Sequence, residues 1–138
     1  HYPGGDGAFG RTDAGMVTAT NTIGLDMSDP AAKDDLVVIN EMHIPNNRPI
    51  RVRLRSRDVT HSFFLPNLRV KQDAVPGMQI EIWFTPNRAG TYEIACAELC
   101  GLGHYRMRGV LTVDESEEAF NKWLSDKAVE LGVAPGGN

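Results

Sequence analysis

The sequence predicts an all-β sandwich or barrel closed by one C-terminal helix, and three observations predict it. Apolar and polar residues alternate along several short stretches, turns rich in Pro and Gly separate those stretches, and helical spacing occurs only near the C-terminal end. At 138 residues the chain has the size of one domain, enough to bury a core without disulfide staples. Hydrophobic residues make up 41% and charged residues 23%, which excludes a disordered chain and a membrane-buried body.

Residues 1–30 carry glycines at 4, 5, 7, 10, 15 and 24 and read as loop, with a short strand expected near Met16 to Thr20. β-Branched content rises from Leu36 to Ile44 and again from Ile50 to Arg55. In the second stretch Ile50, Val52 and Leu54 alternate with Arg51, Arg53 and Arg55, the pattern of a half-buried strand with a cationic outer face. Such a face is usually the solvated side of a strand, and the alternative is a docking face for another subunit. Met78, Ile80, Ile82 and Phe84 alternate after a turn at Pro76-Gly77, and Pro86 to Gly90 mark the next turn. Tyr92, Ile94 and Cys96 then share one face of a strand that ends at Cys96.

Val110 to Val113 reads as a final strand. Asp114 with Glu117 forms a capping box that opens a helix. Phe120, Trp123, Leu124, Ala128 and Leu131 fall on one face of that helix, and Gly132 with Pro135 closes it. Trp123 is assigned to packing. The expected organisation is a loop-rich segment 1–30 left from a longer subunit, one domain formed by 31–114 with a helix 115–131, and a flexible tail 132–138.

The net charge of −4 argues against nucleic acid as the main partner. No apolar run approaches the roughly 20 residues that cross a bilayer, so the chain reads as soluble. It starts on His1 rather than Met, which suggests an upstream segment.

The chemistry concentrates between Cys96 and Met107, where the chain reads Cys-Ala-Glu-Leu-Cys-Gly-Leu-Gly-His-Tyr-Arg-Met. Thiolate, imidazole and thioether together suit copper, whereas calcium and magnesium want oxygen and structural zinc seldom recruits methionine. Cys96 and Cys100 are the two cysteines of the chain and on spacing alone also allow a disulfide. A Cys100, His104 and Met107 loop fits a blue-copper site, which needs a second imidazole from elsewhere. His1 lies at a terminus and His43 lies within a strand-like stretch before Pro45. His61 opens the apolar run Ser62-Phe63-Phe64-Leu65-Pro66 and is the stronger candidate, although a histidine so placed is more often structural.

With those residues in view, the sequence resembles the copper-A domain of cytochrome c oxidase subunit II. Asp58-Val59-Thr60-His61-Ser62-Phe63 is similar to the family segment that carries the first histidine ligand, and Val70-Lys71-Gln72-Asp73-Ala74-Val75-Pro76-Gly77 to the stretch after it. Trp83-Phe84-Thr85-Pro86-Asn87-Arg88-Ala89-Gly90-Thr91-Tyr92 leads into the cysteine loop as in the family. The resemblance runs from about Leu36 to Trp123.

It implies a cupredoxin-like Greek-key β-barrel holding two copper ions bridged by the thiolates of Cys96 and Cys100. His61 and His104 would each bind one copper. Met107 would be a weak axial ligand on the copper of His61, and the Glu98 carbonyl would serve the other. The Glu98 side chain would contribute to a magnesium site shared with the catalytic subunit. The implied role is electron transfer from cytochrome c, or from a fused or tethered c-type haem donor, to haem in oxidase subunit I. The implied location is the periplasmic face of the bacterial inner membrane, with any membrane contact made through an upstream segment. Leu102 and Tyr105 would neighbour His104 on a docking surface.

The sequence departs from the family in two places. The tryptophan-rich strand associated with electron entry in the family would lie upstream of this chain, and Phe63 or Phe64 stands near the place where many relatives have tryptophan. Nitrous oxide reductase has a similar loop but typically carries tryptophan between its cysteines, where this chain has Glu98. A mononuclear blue-copper carrier would leave Cys96 idle, and a metal-free domain with a Cys96 to Cys100 disulfide would leave His104 and Met107 unexplained.

Overall fold

The computed structural model describes residues 1–96 and 108–133. Two compact units divide the chain, one formed by Ile39–Phe120 and the other by His1–Val38 with Asn121–Asn138.

The first of these contains every strand of the described residues: β1 (Glu41–Pro45), β2 (Ile50–Leu54), β3 (His61–Leu65), β4 (Val70–Ala74), β5 (Ile80–Phe84), β6 (Gly90–Cys96) and β7 (Gly109–Asp114). Five of them make one sheet in the order β1-β7-β6-β3-β4, and β2 pairs with β5 in a separate ladder. Only the β1 to β7 pairing is parallel, with Glu41 opposite Val110 and Pro45 opposite Asp114. The all-β class with one C-terminal helix therefore holds. Ile44, Leu65, Leu111 and Val113 form the buried centre, and Phe63, Val70, Phe84, Tyr92 and Ile94 pack around it. Leu65 and Leu111 are fully buried, each contributing roughly 1.5–3 kcal/mol by leaving water.

The alternation in β2 behaves as its pattern requires. Arg51 and Arg53 are exposed while Ile50, Val52 and Leu54 are partly covered. Across the ladder Arg51 stands opposite Trp83 and Arg53 opposite Glu81. The Arg51 guanidinium lies 5.1 Å from the Trp83 ring centroid, and Arg53 Nε donates to Glu81 Oε1 at 3.0 Å. Part of the cationic row is thus satisfied by its own neighbouring strand.

Several expectations need correction. Met16 to Thr20 is not a strand. A single 3-10 turn, Ala14–Met16, forms there because the Asp13 side chain accepts from the Gly15 N–H at its N-cap. Asn21 holds the following loop closed, donating to the Leu25 carbonyl and accepting from the Leu25 N–H, both at 2.9 Å. The stretch from Leu36 to Ile44 yields a strand only from Glu41, while Leu36 makes an isolated antiparallel bridge to Tyr2.

The helix α1 (Glu117–Glu130) is capped by Ser116, whose hydroxyl accepts from the Ala119 N–H at 3.2 Å. The expected cap, Asp114, instead ends β7, where its carboxylate takes the His43 ring at 3.0 Å. At the other end Gly132 adopts φ 69° and the Val133 N–H reaches the Ala128 carbonyl, the left-handed exit expected of a glycine after a helix.

In the unit formed by His1–Val38 and Asn121–Asn138, Leu25, Ala32, Leu36 and Ala128 are buried. Tyr2 meets the Trp123 ring edge-on at 5.4 Å between centroids, so Trp123 is indeed a packing residue. Gly10 makes a close approach possible: a Cβ there would lie 2.4 Å from the Ala32 Cα. Buried Asp26 is paired with the Arg11 guanidinium and accepts from the Ser28 hydroxyl at 2.6 Å.

Candidate metal centre

Strands β3 and β6 are antiparallel neighbours, with Phe63 opposite Cys96 and Phe64 opposite Ala95. Directly opposed residues share a sheet face, and so do alternate residues along a strand. His61, Phe63 and Leu65 therefore face the same side as Cys96 and Ile94, and Phe63, Leu65 and Ile94 place that side against the core. His61 opens β3 and Cys96 ends β6. The two donors consequently meet at one end of the sheet, on its inner face. The Ser62 main-chain N–H points at the Cys96 sulfur with an N to Sγ distance of 3.5 Å, which ties the thiol side chain to the strand that carries His61.

The two ring nitrogens of His61 have different surroundings. Nε2 lies 2.8 Å from Asp58 Oδ1. Nδ1 is buried and has no hydrogen-bond partner among the described residues. Hydrogen bonds from His61 and from the Val59 N–H, in that order of effect, hold the Asp58 carboxyl down to about 2, so it is ionised and can only accept. Nε2 is thus the ring nitrogen that donates to Asp58, and Nδ1 is the buried one.

The other histidines differ. His43 Nδ1 lies 3.0 Å from Asp114 Oδ2 and its Nε2 lies 3.7 Å from Glu41 Oε1, so both ring nitrogens face carboxylates. His1 Nε2 lies 3.2 Å from Asp35 Oδ2. Of the histidines in the described residues, His61 is the one with a buried, unengaged nitrogen.

Glu98, Cys100, His104 and Met107 lie outside the described residues, as do Leu102 and Tyr105. Among the described residues no group of three or more His, Cys, Asp and Glu side chains is arranged to hold a metal ion. Of the candidate donors, His61 and Cys96 are the two that the described residues contain. Their chemistry fits copper: an imidazole and a sulfur, mounted on adjacent strands whose ladder fixes their separation. The orphaned Nδ1 is the observation that tests this fit, since a buried nitrogen with nothing to accept from costs about 1–3 kcal/mol unless a ligand or ion completes it. A hollow of about 260 Å³ lined by Arg55, Ser56, Gly77, Met78 and Gln79 contains none of the expected ligands.

Asp58 and Ser62 were not singled out by sequence reasoning. Asp58 stands three positions before His61, a spacing that in a loop lets a carboxylate reach back to the ring, and that was the available signal. The Ser62 contact uses a main-chain atom and leaves no mark in the residue type.

The described residues form a mostly β domain that brings an imidazole and a thiol to one end of a sheet. The profile described as "Cytochrome C oxidase subunit II, periplasmic domain" matches residues 13–113, and the chain belongs to that family. The "Alternative cytochrome c oxidase subunit 2" of Bradyrhizobium diazoefficiens is 41% identical over 133 residues, covering 96% of this chain and 48% of the relative. The cytochrome c oxidase subunit 2 of Thermostichus vulcanus is 42% identical over 90 residues, covering 65% of this chain and 27% of the relative. The chain thus spans about half the length of the first relative and less of the second.

Among solved structures, the periplasmic domain of subunit II of cytochrome oxidase (CoxB) of Bradyrhizobium japonicum matches with a TM-score of 0.62 at 39% identity, covering 69% of this chain and 68% of that one. A mixed disulfide intermediate between a thioredoxin-like protein and subunit II of cytochrome c oxidase matches with a TM-score of 0.57 at 37% identity, covering 66% and 63%. The fold is mostly β with one C-terminal helix, like that periplasmic domain. Among the described residues no helix is long and apolar enough to cross a membrane.

Proposed function

We propose that this chain is the electron-transfer domain of a haem-copper cytochrome c oxidase and that it carries a binuclear copper-A centre. Membership of the subunit II family over residues 13–113 supports the oxidase assignment, and a relative named "Heme-copper oxidase subunit 2" from Aeropyrum pernix, 37% identical over 94 residues, supports copper. The carrying observation is the buried Nδ1 of His61, without a partner among the described residues, on the same sheet end as Cys96. His61, Cys96, Cys100, His104, Met107 and the Glu98 carbonyl would hold the metal, and the Glu98 side chain would reach a magnesium ion shared with the catalytic subunit. Copper supplies a one-electron redox centre when bound.

The chain's own part is to keep that centre rigid. His61 and Cys96 are mounted on paired strands behind a core of Ile44, Leu65, Leu111 and Val113, so little moves when charge arrives or leaves. The functional domain is taken as 31–114 with the helix 115–131, appended to a longer subunit through residues 1–30. Its partners would be oxidase subunit I and a cytochrome c or tethered c-type haem donor, on the extracytoplasmic side of the membrane. The solved mixed disulfide of a thioredoxin-like protein with subunit II supports a preceding step in which such a partner keeps Cys96 and Cys100 reduced by thiol exchange.

Copper counting with electron paramagnetic resonance on the reconstituted protein tests the reading. Two coppers per chain, with one unpaired electron coupled to both nuclei, are expected. One copper coupled to one nucleus would replace this reading with a mononuclear blue-copper carrier. Cys96→Ser and Cys100→Ser should each abolish the native signal, and its survival in either variant would remove the bridging role.

A further inference from the structure

The outward face of the β2–β5 ladder combines charge and aromatic surface. Arg51 and Arg53 of β2, with the exposed Arg55 just beyond it, alternate with the covered apolar residues, and Arg51 and Arg53 stand opposite the exposed Trp83 and Glu81 of β5. Three arginines thus meet one glutamate in a chain whose net charge is −4. Trp83 is 65% exposed, and Met78, 54% exposed, lines the hollow beside Arg55 and Gln79 at the other end of the ladder. The Arg51 guanidinium lies over the Trp83 ring, 5.1 Å from its centroid, and Arg53 donates to Glu81 at 3.0 Å. Two long cationic side chains are therefore held in place at the surface, next to a large apolar ring.

From this arrangement we infer that the outward face of the β2–β5 ladder docks an acidic segment of another subunit of the oxidase assembly, held extended with aspartate or glutamate at alternate positions. Alternate residues of a strand repeat every roughly 6.6 Å, so the row of Arg51, Arg53 and Arg55 and the alternate carboxylates of an extended segment share one spacing. A guanidinium is a planar fork that takes a carboxylate through two parallel hydrogen bonds. Trp and Arg are the residue types that dominate binding energy at protein interfaces, and a guanidinium already stacked on a ring has less freedom left to lose on binding. A lipid surface fits less well, because Arg51 lies over the ring that a bilayer would take up. The inference rests on the oxidase reading for its assembly and is independent of copper, since none of these residues is a candidate donor.

Two arms test it. In the purified oxidase containing the full-length subunit, Arg51→Lys and Arg55→Lys each place an amine on the face. Zero-length carbodiimide coupling should join that amine to an aspartate or glutamate of a neighbouring subunit, identified by mass spectrometry. On this chain, a synthetic peptide alternating glutamate with threonine should bind by calorimetry and shift the Trp83 indole N–H resonance. Its affinity should fall about 5–30-fold in Arg51→Gln and in Trp83→Thr, and should weaken with added salt. A peptide of the same composition with its glutamates in one block should bind more weakly. Circular dichroism and copper content should stay parental in every variant.

Coupling to a second copy of this chain alone, coupling to no other subunit, or parental peptide affinity in both variants overturns the inference, and so does equal binding of the two peptides. Binding of the parent to phosphatidylglycerol vesicles with none to the alternating peptide also overturns it and assigns the face to a lipid surface. If the subunit does not purify with the oxidase, the proposed function fails while the peptide arm still decides the role of the face.

Discussion

The main-chain N–H of Ser62 lies 3.5 Å from the sulfur of Cys96, while the Ser62 hydroxyl on the same buried residue has no hydrogen-bond partner among the described residues. The part of Ser62 that touches the thiol is therefore backbone, and its side chain contributes an unsatisfied buried oxygen. Ser62→Ala should leave the copper stoichiometry unchanged and alter stability by no more than about 1 kcal/mol, in the stabilising direction, because it removes a group that pays desolvation for nothing. Urea unfolding of the two proteins checks this. A loss of more than about 2 kcal/mol would mean that the hydroxyl has a partner in solution.

His43 and Asp114 link β1 to β7 at their parallel pairing, with Asp114 Oδ2 3.0 Å from Nδ1 and both side chains mostly covered. Asp114→Ala should cost about 1–3 kcal/mol, since it strands a part-buried ring nitrogen. Copper per chain should stay at the parental value, because this pair stands apart from the His61 and Cys96 donors. Thermal unfolding and metal analysis on the same sample separate the two effects.

Acid stability should carry the signature of Asp26. The Ser28 hydroxyl, then Arg11, then the Ser28 N–H stabilise its charged form and lower it to about 2 from 3.8. The folded value lies below the unfolded one, so its contribution is complete above about pH 4 and disappears as pH falls towards 2. Asp35 runs the other way: burial, the largest cause, raises it, so its contribution is present below 3.8 and declines as pH rises through the folded value. Asp26→Asn should flatten the fall in stability between pH 4 and 2. Denaturant midpoints at pH 4, 3 and 2 measure it, and an unaltered slope would show that Asp26 is not the titrating group.

The strands most legible in the sequence were those with strict alternation. β2 and β5 each bury one face and expose the other, so Ile50, Val52 and Leu54 advertise the strand through their spacing. β3 does not: Ser62 and Leu65 are buried while His61, Phe63 and Phe64 are half-covered, so both faces meet other atoms and the period-two signal vanishes. β4 carries Lys71, Gln72 and Asp73 between Val70 and Ala74 and shows no apolar alternation. It becomes a strand because β3 offers a ladder, with His61 opposite Ala74 and Leu65 opposite Val70. The capping error at α1 has a similar origin. Asp114 and Ser116 both suit an N-cap, and only the pairing that brings His43 across to Asp114 removes it from the competition.

By itself the sequence determined the family, through motifs that run from the Asp58 to Phe63 segment to the Cys96 to Met107 loop, and the donor types that make copper the fitting metal. Residue types are local, and ligand chemistry follows from them directly. The tertiary structure decided which histidine has an open nitrogen. His43 and His61 are alike as residues, yet one ring is held between Asp114 and Glu41 while the other meets Asp58 on one side and no partner among the described residues on the other. Asp58 and Glu41 are local partners of these rings, whereas Asp114 reaches His43 only through the β1 to β7 pairing, a relation between distant positions that no single stretch of chain encodes.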